Sequence, residues 1–302
     1  MIRSIPVLIV VLAALEMSAA AGPQEPQQKP AGRTRDIYVS VLARDDTPIA
    51  GLTRDAFVVR EDGVAREVLK AERATAPVQI MLIVDDSAAA DPAVADLRRG
   101  LNAFIEKLQG KGELGLVTIG ERPTSVTEFT SNVDAIKKGV NRIFAKPGSG
   151  AYFLEGLADV ARGIQRREAP RAHIVAVISE GVEFSNLDST NVLDRLAASR
   201  ATLHVLSLGR PSDSMSDEIR QRNIVVADGT ERSGGRRDQV LTPSALPDAL
   251  QRLAAEILSQ YAVTYGVPDA LIPPERIEVS VKQAGATVRA RTRVPETRVP
   301  RK

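Results

Sequence analysis

The sequence has no cysteine and no tryptophan, and only two histidines, His173 and His204, in 302 residues. Without thiols there are no disulfides, thiolate metal sites, cysteine nucleophiles or lipid-modified cysteines. Four Tyr and six Phe supply few stacking platforms for bases or cationic ligands. A dominant charge is also missing. Lys and Arg number 40 against 38 Asp and Glu, a net of +2, so no global field draws the chain to nucleic acid or an anionic surface. These absences favour a binding or structural protein over an enzyme. What is present is a 43% hydrophobic fraction, enough for a real core, and a length that suits two domains of about 150 residues each.

Long apolar runs are scarce too. The first residues carry one cation, Arg3, an apolar run from Ile5 to Leu15, and the small residues Ala19, Ala20 and Ala21, the order of a secretory signal peptide. That run reaches about 16 Å as a helix, short of a roughly 30 Å hydrocarbon core, and Glu16 stops it. Residues 1–21 are therefore expected to be a cleavable signal peptide, with an uncleaved anchor as the alternative. The mature chain is expected to be secreted or periplasmic, with no stable membrane insertion. Residues 22–35 are rich in Pro, Gln and Gly, lack an apolar face, and read as a flexible linker.

From Asp36 the pattern becomes strand-like, with Ile37, Val39 and Val41 on one face. Further strands follow around AFVVRE and VAREVLKAE, joined at Asp62-Gly63, a step that favours a tight hairpin because it needs positive φ. Three strands cannot close a core alone. Their partners are expected at the far end, in AVTYGV, RIEVSVKQ and TVRARTRV, with a second hairpin at Ala284-Gly285-Ala286. A small β-domain is thus expected from 36–75 and 260–295, with a tail over 296–302.

Between these parts, over 76–259, strands alternate with helices. VQIMLIV (78–84) and HIVAVIS (173–179) are continuous apolar runs, as in strands buried on both faces of a parallel sheet. Helices are expected over 92–108, from Ser131 as N-cap to Phe144, over 152–167, over 188–199 and over 246–259, with a weaker βα-like stretch after Ser216. Alternation of this kind specifies an α/β fold, a Rossmann-like parallel sheet with helices on both faces.

Catalytic constellations do not assemble. Ser149-Gly150-Ala151 follows Pro147-Gly148, but no Gly-Lys-Ser/Thr completes a phosphate loop. No G-x-S-x-G elbow is present. His173 and His204 fall in apolar strands and read as structural. The basic clusters at Arg166-Arg167, Arg232–Arg237 and Arg298–Lys302 read as solvated faces and a loose tail rather than a nucleic-acid surface.

The order of features resembles the von Willebrand factor type A domain family, specifically the secreted bacterial group called VWFA-related. The matching residues are Pro48, Gly51-Leu52-Thr53, Asp55 with Phe57-Val58-Val59-Arg60-Glu61-Asp62-Gly63, Ser233-Gly234-Gly235 and Leu258-Ser259-Gln260-Tyr261. Ala56 is inserted between the Asp and Phe of the family pattern. The resemblance spans about residues 36–294. It implies the von Willebrand A fold for 76–259, joined to a small β-sandwich-like domain built from both chain ends.

It also implies a divalent-cation site at the C-terminal edge of the sheet, where open parallel sheets place ligands. The family takes D-x-S-x-S from one loop, a Thr from a second and an Asp from a third, oxygen donors that suit Mg²⁺. Here Asp85 and Ser87 match, Ala89 stands at the second Ser, Ala151 at the Thr and Glu180 at the Asp. Alanine has no lone pair for a metal, so the site is expected to be degenerate. No cofactor in use is the leading reading, and a weak Mg²⁺ or Mn²⁺ site the alternative.

The loops 85–91, 147–152 and 180–187 are expected to converge at that edge. Asp86, Tyr152, Phe153 and Phe184 are the candidates for contacting an unidentified protein partner. The expected function is an exported, non-enzymatic protein-binding or adhesion-type module. The alternatives are a structural spacer of an envelope or surface assembly and, more remotely, a hydrolase.

Overall fold

Residues 33–211, 216–268 and 274–293 are described by the computed structural model. The expected signal peptide, the linker before Arg33 and the tail over 296–302 lie outside the described residues. The chain enters on β1 (Arg33–Leu42), which begins three residues before the apolar alternation does. Arg33, Thr34 and Arg35 pair antiparallel with Val267, Gly266 and Tyr265, so the expected linker reaches too far at its C-terminal end. Strands β2 (Phe57–Glu61) and β3 (Val64–Arg66) form the expected hairpin. Asp62 and Gly63 turn at φ of 47° and 80°, the double positive φ of a two-residue loop. Strand β4 (Val68–Arg73) follows.

Strand β5 (Val78–Val84) starts the α/β part, and every residue in it is buried. It continues through α1 (Val94–Lys107), β6 (Gly112–Thr118), β7 (Thr124–Thr130) and α2 (Val133–Val140). Helix α2 is capped by Asn132, whose side chain accepts from the Ala135 amide. The cap expected at Ser131 is off by one, and the helix stops at Val140 rather than Phe144. Helix α3 (Phe153–Arg167), β8 (Ala172–Ser179), α4 (Ser189–Ser199) and β9 (Thr202–Leu208) come next. Helix α5 (Asp217–Ser233) and β10 (Arg237–Val240) occupy the stretch read as βα, in the reverse order. Helix α6 (Leu246–Leu258) and the strands β11 (Tyr261–Val267), β12 (Ile277–Val281) and β13 (Thr287–Ala290) complete the described chain.

The central sheet has the order β10-β9-β8-β5-β6-β7 and is parallel except for β7. Alternation along β5 builds its two cores. Val78, Ile80, Leu82 and Val84 pack with α1, α2 and α6 on one face. Met81 and Ile83 pack with α3, α4 and α5 on the other. Both faces of an apolar strand are thereby removed from water, the driving force for this layering.

Both chain ends contribute to the remaining sheets, β13-β1-β11-β4 and β12-β2-β3. Val39, Val41, Phe57, Val59, Val263, Tyr265 and Ile277 form a third core between them. At the expected hairpin over 284–286 no ladder joins the two strands, since β13 pairs with β1 while β12 pairs with β2 in the other sheet; the two segments meet antiparallel only at their far ends, where Arg276 and Arg293 bridge. The step at Gly285, at φ 74°, crosses between sheets instead. Arg236 belongs to the 232–237 cluster read as solvated, yet it is 4% exposed. It is paired to Asp46, Asp238 and Glu256, because a buried guanidinium needs compensating charge.

Candidate loop-edge site

In the central sheet β6 lies on one side of β5 and β8 on the other. The direction of winding therefore switches between β5 and β8, and the crevice beyond their C-terminal ends is where such sheets hold ligands. Asp85 sits there. Its Oδ1 accepts from the Ser87 amide at 2.8 Å and its Oδ2 from the Ser179 amide at 2.9 Å. One carboxylate thus ties the end of β5 to the end of β8, with both oxygens engaged by backbone donors.

The three predicted loops come together around it. The Ala88 amide donates to Ser149 O, Lys146 N to Asp86 O, and Ala151 N to Val182 O. Asp86 is 4% exposed, which removes it as a surface contact for a partner. Its Oδ1 accepts from the Gly120 amide at 2.6 Å and its Oδ2 lies 3.2 Å from Lys146 Nζ. Lys146 also donates to Gly120 O at 2.9 Å. Glu180 accepts from Arg222 Nη2 at 2.7 Å, with the two side chains 10% and 3% exposed. Sequence reasoning missed both cations, because neither lies near its acid in the chain.

The two alanines are packed rather than merely substituted. A Cβ placed on Gly181 would lie 2.4 Å from the Ala89 Cβ, so the Ala89 methyl occupies the space beside that backbone. Ala151 bridges Gly120 on one side and Glu183 on the other. A hard divalent cation needs about six oxygen ligands in near-octahedral geometry. Here two hydroxyl positions are methyls, both Asp85 oxygens are engaged, and a guanidinium and an ammonium already neutralise Glu180 and Asp86. Among the described residues no group of three or more acids or histidines is placed to hold a metal. The residues present do not fit the family's cation.

Beside this closed cluster the chain alternates outward and inward. Val182 and Phe184 are 57% and 47% exposed, while Glu183 and Ser185 are each 3% exposed. Glu183 accepts from the Phe153 amide at 2.8 Å and from the Ser185 hydroxyl. Burial, only partly offset by these bonds and by Arg222, pushes its carboxyl up to about 7. Phe153 is fully buried in the core and cannot serve as the exposed anchor expected of it. Tyr152 and Phe184 do meet, with ring centroids 6.0 Å apart. They line a hollow of about 260 Å³ with Pro147, Gly148 and Gly150. Gly150 is required there, since a Cβ would come within 2.7 Å of the Phe184 ring.

No protein-family model and no curated protein matches the sequence. Among solved structures, a von Willebrand factor type A protein from Catenulispora acidiphila aligns at 14% identity. It covers 86% of this chain and 73% of its own, with a TM-score of 0.50. Also similar is a conserved hypothetical protein, BatB, from Bacteroides thetaiotaomicron, at 16% identity over 60% of this chain and 100% of its own, with a TM-score of 0.44. The vWF domain of the type V pili tip protein Mfa5 from Porphyromonas gingivalis aligns at 13% identity over 60% of this chain and 95% of its own, with a TM-score of 0.44. The first of these, together with the sheet order, shows that the chain has the von Willebrand factor type A fold. The additional antiparallel sheets from the chain ends form a small β-sandwich against a core of their own.

Proposed function

We propose that this chain is an exported, non-enzymatic recognition module that contacts a protein partner through the loop edge without a coordinated metal. The observation that carries the reading is a pairing of opposites at one edge. Of the acids of the implied cation site, Asp85 is satisfied by backbone amides and Glu180 by Arg222, and the neighbouring Asp86 is paired with Lys146, while Phe184 and Val182 remain open to solvent beside Tyr152. Tyr152 and Phe184 line a small hollow, and aromatic side chains are enriched in the core of protein contacts.

Enzymatic readings find no support in the side chains. His173 and His204 are 1% and 0% exposed and face one another at 3.2 Å. The Ser185–Glu183 contact is buried and has no imidazole beside it. Among the described residues no helix is long and apolar enough to cross a membrane. A rigid spacer in an envelope assembly is the second reading, favoured by the buried Arg236 network that ties Asp46 to Asp238 and Glu256.

A photo-cross-linking residue at Val182, introduced into the protein in its native cells, separates the two. Recognition predicts a discrete adduct that survives EDTA and disappears with Phe184→Ala. The spacer reading predicts no discrete adduct, or one indifferent to Phe184.

A further inference from the structure

At the opposite, N-terminal edge of the central sheet lies a cavity of about 670 Å³ between β1, the starts of β8 and β9, and the segments beside β11 and β12. Its wall is cationic. Arg33, Arg35, Arg171, Arg200 and Arg291 line it, and Asp36 is the one carboxylate among its described lining residues. Arg35 is neutralised by Glu61, and Asp36 accepts from the Thr264 hydroxyl at 2.6 Å.

Arg171 and Arg291 stand apart. Arg171 is 4% exposed, yet its hydrogen bonds run to neutral oxygens: Gln260 Oε1 at 3.2 Å, Ala76 O at 3.2 Å and Ile257 O. Arg291 is half-buried and donates to Arg200 O at 2.5 Å on the exposed side, and desolvation with the nearby Arg200 guanidinium lowers it to about 10. Among the described residues neither has a carboxylate partner, and a guanidinium as buried as Arg171 ordinarily does.

His173 adds an independent signal. His204 Nδ1 accepts from the Arg236 amide at 3.1 Å, and burial holds His204 neutral at about 3. The remaining proton of His204 therefore sits on Nε2 and is donated to His173 Nδ1, 3.2 Å away. Burial keeps His173 neutral as well, so its own proton is on Nε2. That donor belongs to a wall residue 1% exposed and has no partner among the described residues. The rest of the wall is apolar, with Ile37, Val267 and Ile277 prominent, and the volume falls in the range of about 300–1,000 Å³ that accommodates small molecules.

We propose that this cavity binds a small organic oxyanion, with Arg171 and Arg291 as the charge partners of its head and Ile37, Val267 and Ile277 enclosing an apolar body. Carboxylate and phosphate heads share the chemistry, and the test distinguishes them. Native protein is titrated calorimetrically at constant ionic strength with hexanoate, hexyl phosphate, inorganic phosphate and hexanol. At least one of the two organic acids binds saturably below millimolar concentration, and the stronger identifies the head. Inorganic phosphate and hexanol bind at least about tenfold more weakly, lacking body or charge. Arg171→Gln also removes the bonds to Ile257 and Ala76, so the informative variant is Arg291→Gln. It keeps the native far-ultraviolet circular dichroism and weakens binding by about tenfold or more. Absence of saturable binding by both acids overturns the proposal, as do hexanol binding equal to the acids and native affinity in Arg291→Gln. Inorganic phosphate as tight as hexyl phosphate overturns the role given to the apolar wall.

Discussion

Arg222→Met removes the guanidinium that faces Glu180 while keeping a long, flexible side chain in its place. In the native protein the two groups meet at 2.7 Å with exposures of 3% and 10%, so the pair is buried and its loss leaves a carboxylate without a counter-charge. Removing one partner of such a pair costs about 3–5 kcal/mol, whereas replacing both by apolar groups is often neutral. For a chain of this size about 2–4 °C of melting temperature accompanies each kcal/mol, so the variant should melt about 6–20 °C below native. Glu180→Met should cost a comparable amount. The double variant should be more stable than either single one, giving a coupling of about 2–3 kcal/mol by urea unfolding. A loss below about 1 kcal/mol for Arg222→Met, the range of a solvent-exposed pair, would refute the buried internal cation. So would two single effects that simply add.

Two further outcomes follow from the same packing. Glu183 is raised to about 7 from an ordinary value of 4.5, so between those values the folded chain holds a proton that the unfolded chain has released. Stability therefore declines as pH climbs through that window, and Glu183→Gln should remove the decline, gaining up to about 3 kcal/mol at pH 8; an unchanged slope in urea midpoints from pH 5 to 8 would contradict this. In Gly235→Ala the new Cβ would lie 1.7 Å from Leu203 O, forcing β9 and the start of β10 apart at a cost of about 3 kcal/mol or more. A native melting temperature would show that the backbone yields there.

Much of the fold is legible in the residues because its strands are chemically pure. The runs 78–84 and 173–179 contain little but apolar side chains, and only a strand covered on both faces accommodates them. Asp62-Gly63 likewise determines its turn. Helix α5 was obscured by the polar character of its buried face. Arg222, Thr230 and Ser233 are buried there beside Ile219, Val225 and Val226. Thr230 and Ser233 bond to carbonyls in their own helix, so burial needs no apolar period. The step at 284–286 misled for another reason, since a Gly-containing turn looks the same whether it closes a hairpin or crosses between sheets.

The site was half legible. The resemblance to the von Willebrand A family implies Asp85, Ser87 and Glu180 as one cluster, with Ala89 and Ala151 where it has hydroxyls. Lys146 and Arg222 were out of reach, because each meets its acid only through the tertiary fold. Phe153 was misassigned because an aromatic at a helix start reads equally as anchor or core, and its amide's bond to Glu183 is invisible before folding. At the loop edge Asp85 holds two backbone amides, Glu180 is paired with Arg222 and Asp86 with Lys146.

Calorimetric titration of the purified protein with Mg²⁺ and Mn²⁺ tests the metal-free loop edge most directly. No saturable heat up to millimolar metal and no change of melting temperature on adding EDTA are expected. Submillimolar binding that Asp85→Ala abolishes would contradict this.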